Sequence, residues 1–355
     1  MFKLLAAALG ALAIAGATCA QPAPVEADYT IADFHFASGE TLPALRIHYT
    51  TIGSPHRNAA GHVDNAVLVL HGTGGAGTSL IRPSFSGELF GPGQLLDASR
   101  YFIILPDGLG HGKSSKPSDG LRARFPHYGY TDMVEAEHRL VVDGLKVDHL
   151  RLIMGTSMGC MHAFMWGENW PTQMDALMPL ACNTIQLAGR NRLWRDMVIE
   201  AITHDPAWKG GDYTEEPMQS LRTAEDLTII AGSAPHQMQK SMPTRDAADQ
   251  YLADTLAKQL PAMDANDTLY WTGASRDYNP SARLGEIIAP VMWVNSADDF
   301  INPPELGIAE QEVKKIKHAR FVMIPIGPDT HGHGTHTFAV NWKQYLAELL
   351  KESEH

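Results

Sequence analysis

The 355-residue chain has few cysteines, no basic run, no internal repeat and, beyond its first twenty positions, no apolar stretch long enough to span a bilayer. Three cysteines in a chain of this length make no disulfide framework, so stability has to come from a buried core. Of these, Cys160 and Cys182 lie far from the N-terminus. Each is expected as a small buried apolar residue, with pairing in an oxidising compartment as the alternative. With 28 Lys and Arg against 40 Asp and Glu, the formal net charge is −12. A nucleic-acid or anionic-membrane partner is therefore not expected, and a small-molecule partner is.

The N-terminal exception is informative. Lys3 precedes an almost unbroken apolar stretch over residues 4–17, and small residues continue to Ala20. The stretch is too short for a stable membrane anchor and has the layout of a cleavable secretory signal over residues 1–20. An exported protein, periplasmic or secreted, is the expectation, with residues 21–27 as a flexible mature N-terminus.

What the chain has in quantity is one repeated pattern. Short apolar runs at residues 66–70, 101–105, 150–154, 176–180, 291–294 and 320–324 each end in polar or Gly-rich residues. Continuous runs of this kind read as parallel strands buried on both faces. Helical spacing lies between several of them, as in residues 131–144 and 335–351. The expectation is an α/β fold with a mostly parallel, doubly wound sheet whose sites gather at the carboxyl ends of the strands. Residues 184–284 carry helix-like text without a convincing strand, and predict a helical cap inserted between core segments 21–183 and 285–355.

Chemistry concentrates at the strand ends. Gly155-Thr156-Ser157-Met158-Gly159 follows one strand and opens a helical stretch, so Ser157 sits where a sharp turn exposes a nucleophile. A serine hydroxyl needs a base, and the base an orienting acid. Asp298 and Asp299 follow the strand at 291–294; Asp299 is preferred because Asp299-Phe300-Ile301-Asn302-Pro303 has the acid-x-aliphatic-x-Pro shape. His331, His333 and His336 follow the last strand, and His333 is the chosen base, with His331 second. No carboxylate or cysteine stands near these histidines at metal-site spacing, so neither metal nor cofactor is called for. Backbone N–H groups of Met158 and Thr73, with Gly74 as second choice for the latter, are expected to form an oxyanion hole. Met161, Trp194 and Met197 are candidates to line a substrate pocket. Gly110-His111-Gly112-Lys113-Ser114 resembles a phosphate-binding loop, but Asp107 stands where that loop needs its first glycine.

Over most of its length the chain resembles the homoserine O-acetyltransferase-like branch of the α/β-hydrolase superfamily. The resemblance rests on the His71 loop, Gly91-Pro92-Gly93, the Ser-Met-Gly elbow followed by Met161, Asp205-Pro206-Ala207-Trp208 and Gly210-Gly211-Asp212-Tyr213. It implies Ser157, Asp299 and His333 as a triad and an acyl-serine intermediate. It also implies an arginine for a substrate carboxylate, with Arg190, Arg192 and Arg195 as candidates. The acetyltransferases usually place an aspartate directly after the catalytic histidine, where this chain has Gly334. Together with export away from acetyl-CoA, that makes ester hydrolysis the first expectation and acyl transfer to homoserine the second. A non-catalytic binding protein on the same scaffold is the third.

Overall fold

The structure, a computed structural model, describes residues 22–354, so the expected leader at 1–20 lies outside the described residues. Strands β1 (Val25–His35) and β2 (Thr41–Ile52) form an antiparallel hairpin. Then follow β3 (Ala66–Leu70), β4 (Phe102–Pro106), β5 (Leu152–Thr156), β6 (Leu177–Leu180), β7 (Val291–Ser296) and β8 (Ala319–Ile324). They make one eight-stranded sheet in the order β1-β2-β4-β3-β5-β6-β7-β8. The β2–β4 pairing is antiparallel and every pairing from β4 to β8 is parallel.

The continuous apolar runs have a direct cause. In β3, Leu68 and Leu70 face one core cluster while Val67 and Val69 face the other, and β4 divides Ile104 and Ile103 in the same way. Successive side chains point to opposite faces, and both faces are covered. One layer packs Met133 and Val134 of helix Tyr130–Arg139 and Phe164 and Trp166 of helix Met158–Asn169 against the sheet. The other packs Phe85, Phe90, Trp342 and Leu346, the last from helix Lys343–Glu352.

Three expectations need correction. Residues 25–27 are not a loose N-terminus but the start of β1, where Val25 pairs with Thr51 and Glu26 meets Lys113 and His48. An edge strand with exposed alternate residues looks polar, yet its backbone is held by the ladder. The helix expected over 335–351 begins only at Lys343, because the segment before it turns tightly to place His333. Cys160 and Cys182 are joined as a disulfide rather than standing as separate apolar residues. Pairing of β5 with β6 brings the first turn after one strand beside the residues that leave the other.

Between β6 and β7 the described chain is helical, including Gly189–Thr203, Met218–Ala231, Arg245–Gln259 and Ala265–Gly273. These helices share a small core of their own around Trp194, Val198, Ile202, Tyr213 and Leu221. Hydrogen bonds tie them to the sheet domain: Asp267 accepts from Ser118 N–H and Oγ–H, and Tyr270 Oη donates to Phe125 O at 2.7 Å. No helix among the described residues is long and apolar enough to cross a membrane.

Candidate active site

Ser157 stands between β5 and helix Met158–Asn169 with φ +55° and ψ −109°. L-residues rarely occupy that region, and holding one there costs about 1–3 kcal/mol. The neighbouring glycines make the turn possible. A Cβ on Gly155 would lie 2.0 Å from Gly159 O, and one on Gly159 would lie 2.3 Å from Leu70 O. Ser157 N–H donates to Leu180 O at 2.8 Å, which fixes the turn against β6.

His333 Nε2 lies 2.8 Å from Ser157 Oγ, and its Nδ1 lies 2.8 Å from Asp299 Oδ2. Because an ionised carboxylate only accepts, Nδ1 carries the proton and Nε2 is left to accept from the serine hydroxyl. Asp299 is 2% exposed. Burial alone would push its carboxyl up, but the charge and hydrogen bond of His333 and the bonds from Asn302 hold it below the ordinary aspartate value. Its Oδ1 accepts from Ile301 N–H at 2.7 Å and Asn302 N–H at 3.1 Å, and its Oδ2 from Asn302 Nδ2–H at 3.0 Å.

The neighbouring candidates take other places. Asp298 accepts from Ser296 Oγ–H and from Gly332 N–H, the latter at 2.9 Å, so it braces the histidine loop from one residue away. His331 stacks on Phe338 at 3.8 Å between ring centroids, and burial lowers its pKa. His336 is partly buried, its pKa pulled down to about 3 by desolvation and by His333, and its Nδ1–H donates to His333 O. It is therefore neutral and holds the base's backbone.

The loop after β3 meets the elbow from the other side. His71 Nε2 accepts from Gly108 N–H at 2.9 Å, which leaves Nδ1–H to donate to Gly72 O at 2.8 Å. Full burial keeps this imidazole neutral by lowering its pKa. Its carbonyl accepts from Gly159 N–H at 3.0 Å. Gly72 passes so close that a Cβ there would sit 3.3 Å from Ser157 Cβ. Thr73 and Gly74, which follow, border the same cavity as Ser157 and His333, and Met158 is the first residue of the elbow helix.

That cavity holds about 420 Å³. Its far wall comes from the helical insertion: Trp194, Arg195, Glu225, Met263 and Trp271. Of the expected pocket residues, Trp194 lies here. Met161 lies instead on a neighbouring cavity of about 510 Å³, beside Leu187 and Asn302. Met197 is 45% exposed on the outer side of its helix and is not brought to the nucleophile. Trp194, Val198 and Ile202 form the inward stripe at helical spacing, and Met197 falls out of phase with it.

Arg195 is the anomaly of this wall. It is 2% exposed, its Nε donates to Asn191 Oδ1 at 3.2 Å, and its Nη1 has no hydrogen-bond partner. Its guanidinium stands 4.7 Å from the Trp194 ring. No carboxylate among the described residues pairs with it, and burial lowers its pKa. Glu225, half-buried, forms no ion pair among the described residues; burial and the adjacent Asp226 raise its carboxyl. Glu225 and Trp271 carry no local signal in the sequence, since helix position alone does not reveal which residues overhang a distant strand end.

Residues 65–330 match the alpha/beta hydrolase fold family. The homoserine O-acetyltransferase of Moorella thermoacetica is 31% identical, over 89% of this chain and 94% of that protein. A probable acyltransferase of Methanothermobacter thermautotrophicus is 28% identical over 78% and 84% of the two chains. Among solved structures, an acetylester hydrolase from Corynebacterium glutamicum superposes with TM-score 0.80 at 21% identity, covering 92% of this chain and 96% of that one. Homoserine O-acetyltransferase from Bacillus anthracis gives TM-score 0.80 at 20% identity, with 92% and 97% covered.

Proposed function

Given that the chain belongs to the α/β-hydrolase fold family, in its homoserine O-acetyltransferase-like branch, we propose that it is an exported serine hydrolase of carboxylic esters. The observation that carries the reading is the continuous relay Ser157 Oγ–His333–Asp299, with both imidazole contacts at 2.8 Å. In the proposed reaction, His333 Nε2 takes the hydroxyl proton as Ser157 Oγ attacks the ester carbonyl. Backbone N–H groups of Met158 and Thr73 receive the developing oxyanion. His333 then returns the proton to the departing alcohol, and a water, deprotonated by the same imidazole, releases the acid from Ser157. Asp299, ionised and held by Asn302, keeps the imidazole in the required tautomer and stabilises it when charged.

Water rather than homoserine is the proposed acceptor because Gly334 follows the base and offers no carboxylate to a substrate amine. Arg195 supports a further restriction. A buried guanidinium without a counter-ion costs several kcal/mol, and a substrate carboxylate would supply that counter-ion. The homoserine O-acetyltransferase reading is the second, favoured by the 31% identical relative. A panel of esters with and without a carboxylate, run beside acetyl-CoA plus homoserine, separates the two. Homoserine-dependent release of CoA exceeding ester hydrolysis would overturn the preference. Covalent labelling by a fluorophosphonate, lost in Ser157→Ala, tests the nucleophile itself.

Export is supported by the leader-like pattern at 1–20 and by the Cys160–Cys182 bond, since the cytosol keeps most thiols reduced. N-terminal sequencing of protein from its native host should begin near Gln21. An intact Met1 in a cytosolic fraction would contradict export.

A further inference from the structure

The segment Leu180-Ala181-Cys182 leaves β6 between the nucleophile and the acid and touches the supports of both. Leu180 O accepts the Ser157 N–H at 2.8 Å. Ala181 N–H donates to Val294 O at 2.9 Å in β7, and Ala181 O accepts from Asn302 Nδ2–H at 3.0 Å. That same Asn302 amide donates to Asp299 Oδ2. Ala181 has φ +66°, a region that costs a non-glycine residue free energy, so the neighbouring contacts hold it there. Cys182 is gripped in turn: its N–H donates to Asn295 Oδ1, and its carbonyl accepts from Asn295 Nδ2–H at 2.9 Å and Trp293 Nε1–H at 3.1 Å.

Hydrogen bonds thus bind this segment densely to the acid's side of the site. Toward the nucleophile the links are the short β5–β6 ladder, the Leu180 bond and one covalent tie, the disulfide to Cys160 in the first turn of the elbow helix. Both cysteines are buried, at 0% and 2% exposure. We propose that the Cys160–Cys182 disulfide and Asn302 act as one clamp that sets the spacing between Ser157 and the Asp299–His333 pair, so that full turnover requires the disulfide intact. The cysteines and Asn302 are positioning residues here. The proposal rests on the hydrolase reading, because it concerns the rate of that reaction. Reduction by a dithiol would break the S–S bond into two thiols, with two electrons and two protons supplied as the reagent closes to its own cyclic disulfide. The elbow helix would then lose its covalent tie to the acid's support, and a displacement of about 1 Å at a reacting group can cost on the order of 100-fold in rate.

The test is a double-mutant cycle between Cys160→Ala/Cys182→Ala and Asn302→Ala, measured on an ester the wild-type protein turns over, with Ser157→Ala as the blank. If the wild type shows no Ser157-dependent turnover, the hydrolase reading fails and the clamp falls with it. If turnover is present, the cycle judges the clamp alone. The expected result is a folded disulfide-free variant with kcat down about tenfold or more, KM within about twofold, and a loss that is not additive with that of Asn302→Ala. A folded variant with wild-type kcat, or losses that simply add, overturns the proposal. Should the disulfide-free variant not fold, dithiol titration of the wild type takes its place. Activity that falls with the fraction of disulfide reduced in folded protein and returns on reoxidation supports the clamp; activity kept after full reduction overturns it.

Discussion

The two walls of the cavity are built on opposite electrostatic terms. On the sheet side the reacting groups have their complements: Ser157 has His333, His333 has Asp299, and Asp299 accepts from Asn302 and Ile301. Even Asp298 is used up on Ser296 and Gly332. On the insertion side Arg195 and Glu225 face the same cavity, and among the described residues neither has an ion-pair partner of opposite charge. A paired wall is preorganised, its dipoles fixed before substrate arrives, which suits the bond-making step. An unpaired wall is unfinished until a ligand completes it, which suits selection among substrates. The contrast divides the proposed labour: the sheet's strand ends carry the chemistry, and the inserted helices decide what enters.

Cutting the paired wall should have the largest effect. Asp299→Asn keeps the shape but offers His333 an amide in place of a carboxylate, so the imidazole loses both its enforced tautomer and its counter-charge. We expect kcat to fall by on the order of 10³–10⁴-fold with KM nearly unchanged. The same substitution bears on stability. Asp299 is held below the ordinary aspartate value in the folded chain, so its contribution is present above that value and lost as pH falls through the folded one. Thermal melts from pH 7 downward should show a shallower acid-side decline in Asp299→Asn than in the wild type. A variant that keeps near-wild-type kcat would mean that the relay is not what drives the reaction.

The paired wall was also the legible one. Apolar runs buried on both faces mark β3 to β7 to within two residues, while the similar run of β8 forms an only partly buried edge strand, and a Gly-flanked serine directly after a strand can serve little else. Less legible was the choice between adjacent residues, which rested on motif shape alone. Asp298 and Asp299 leave the same strand end; the acid-x-aliphatic-x-Pro shape favours Asp299, and the contacts separate their tasks, Asp299 meeting His333 Nδ1 and Asp298 accepting from Gly332 N–H. The disulfide was hidden because a separation of 22 residues says nothing of proximity until β5 and β6 are paired. The insertion was legible as helix but not as wall. Trp194 and Met197 look alike as large apolar residues on one helix, and only the packing of Val198 and Ile202 shows which of the two turns inward.

The unpaired wall gives the second-largest prediction and the sharpest contrast with the first. Arg195→Met removes a buried charge that has no carboxylate partner among the described residues and keeps most of the side-chain volume. For an ester bearing a carboxylate, KM should rise about 10- to 100-fold, the worth of a hydrogen bond to a charged group. For a neutral ester of the same size kcat and KM should hardly move. Stability should be unchanged or raised, because an unpaired buried cation is replaced by an apolar side chain. Equal losses on charged and neutral esters, with a lowered melting temperature, would make Arg195 a structural residue and dissolve the contrast between the walls.

The smallest effect expected lies in how the insertion responds to pH. Glu216 sits beside helix Ala265–Gly273, where burial and then the charge of Asp264 push its carboxyl up to about 7, against an opposing hydrogen bond from Ala265 N–H. A carboxyl raised in the folded state favours folding while it is protonated. That contribution is complete below the ordinary glutamate value and disappears as pH rises through about 7. Glu216→Gln keeps an acceptor for the Ala265 amide and removes the titration. The wild type should lose about a degree or two of melting temperature between pH 6 and pH 8 that the variant keeps, a small shift because the carboxyl is partly solvated. Turnover at fixed pH should be unaffected, since Glu216 is not among the residues bordering the cavity. If the variant declines with pH as steeply as the wild type, Glu216 does not contribute to the response, and the raised carboxyl of Glu168 on the elbow helix remains as a source of sensitivity near pH 7 on the sheet side.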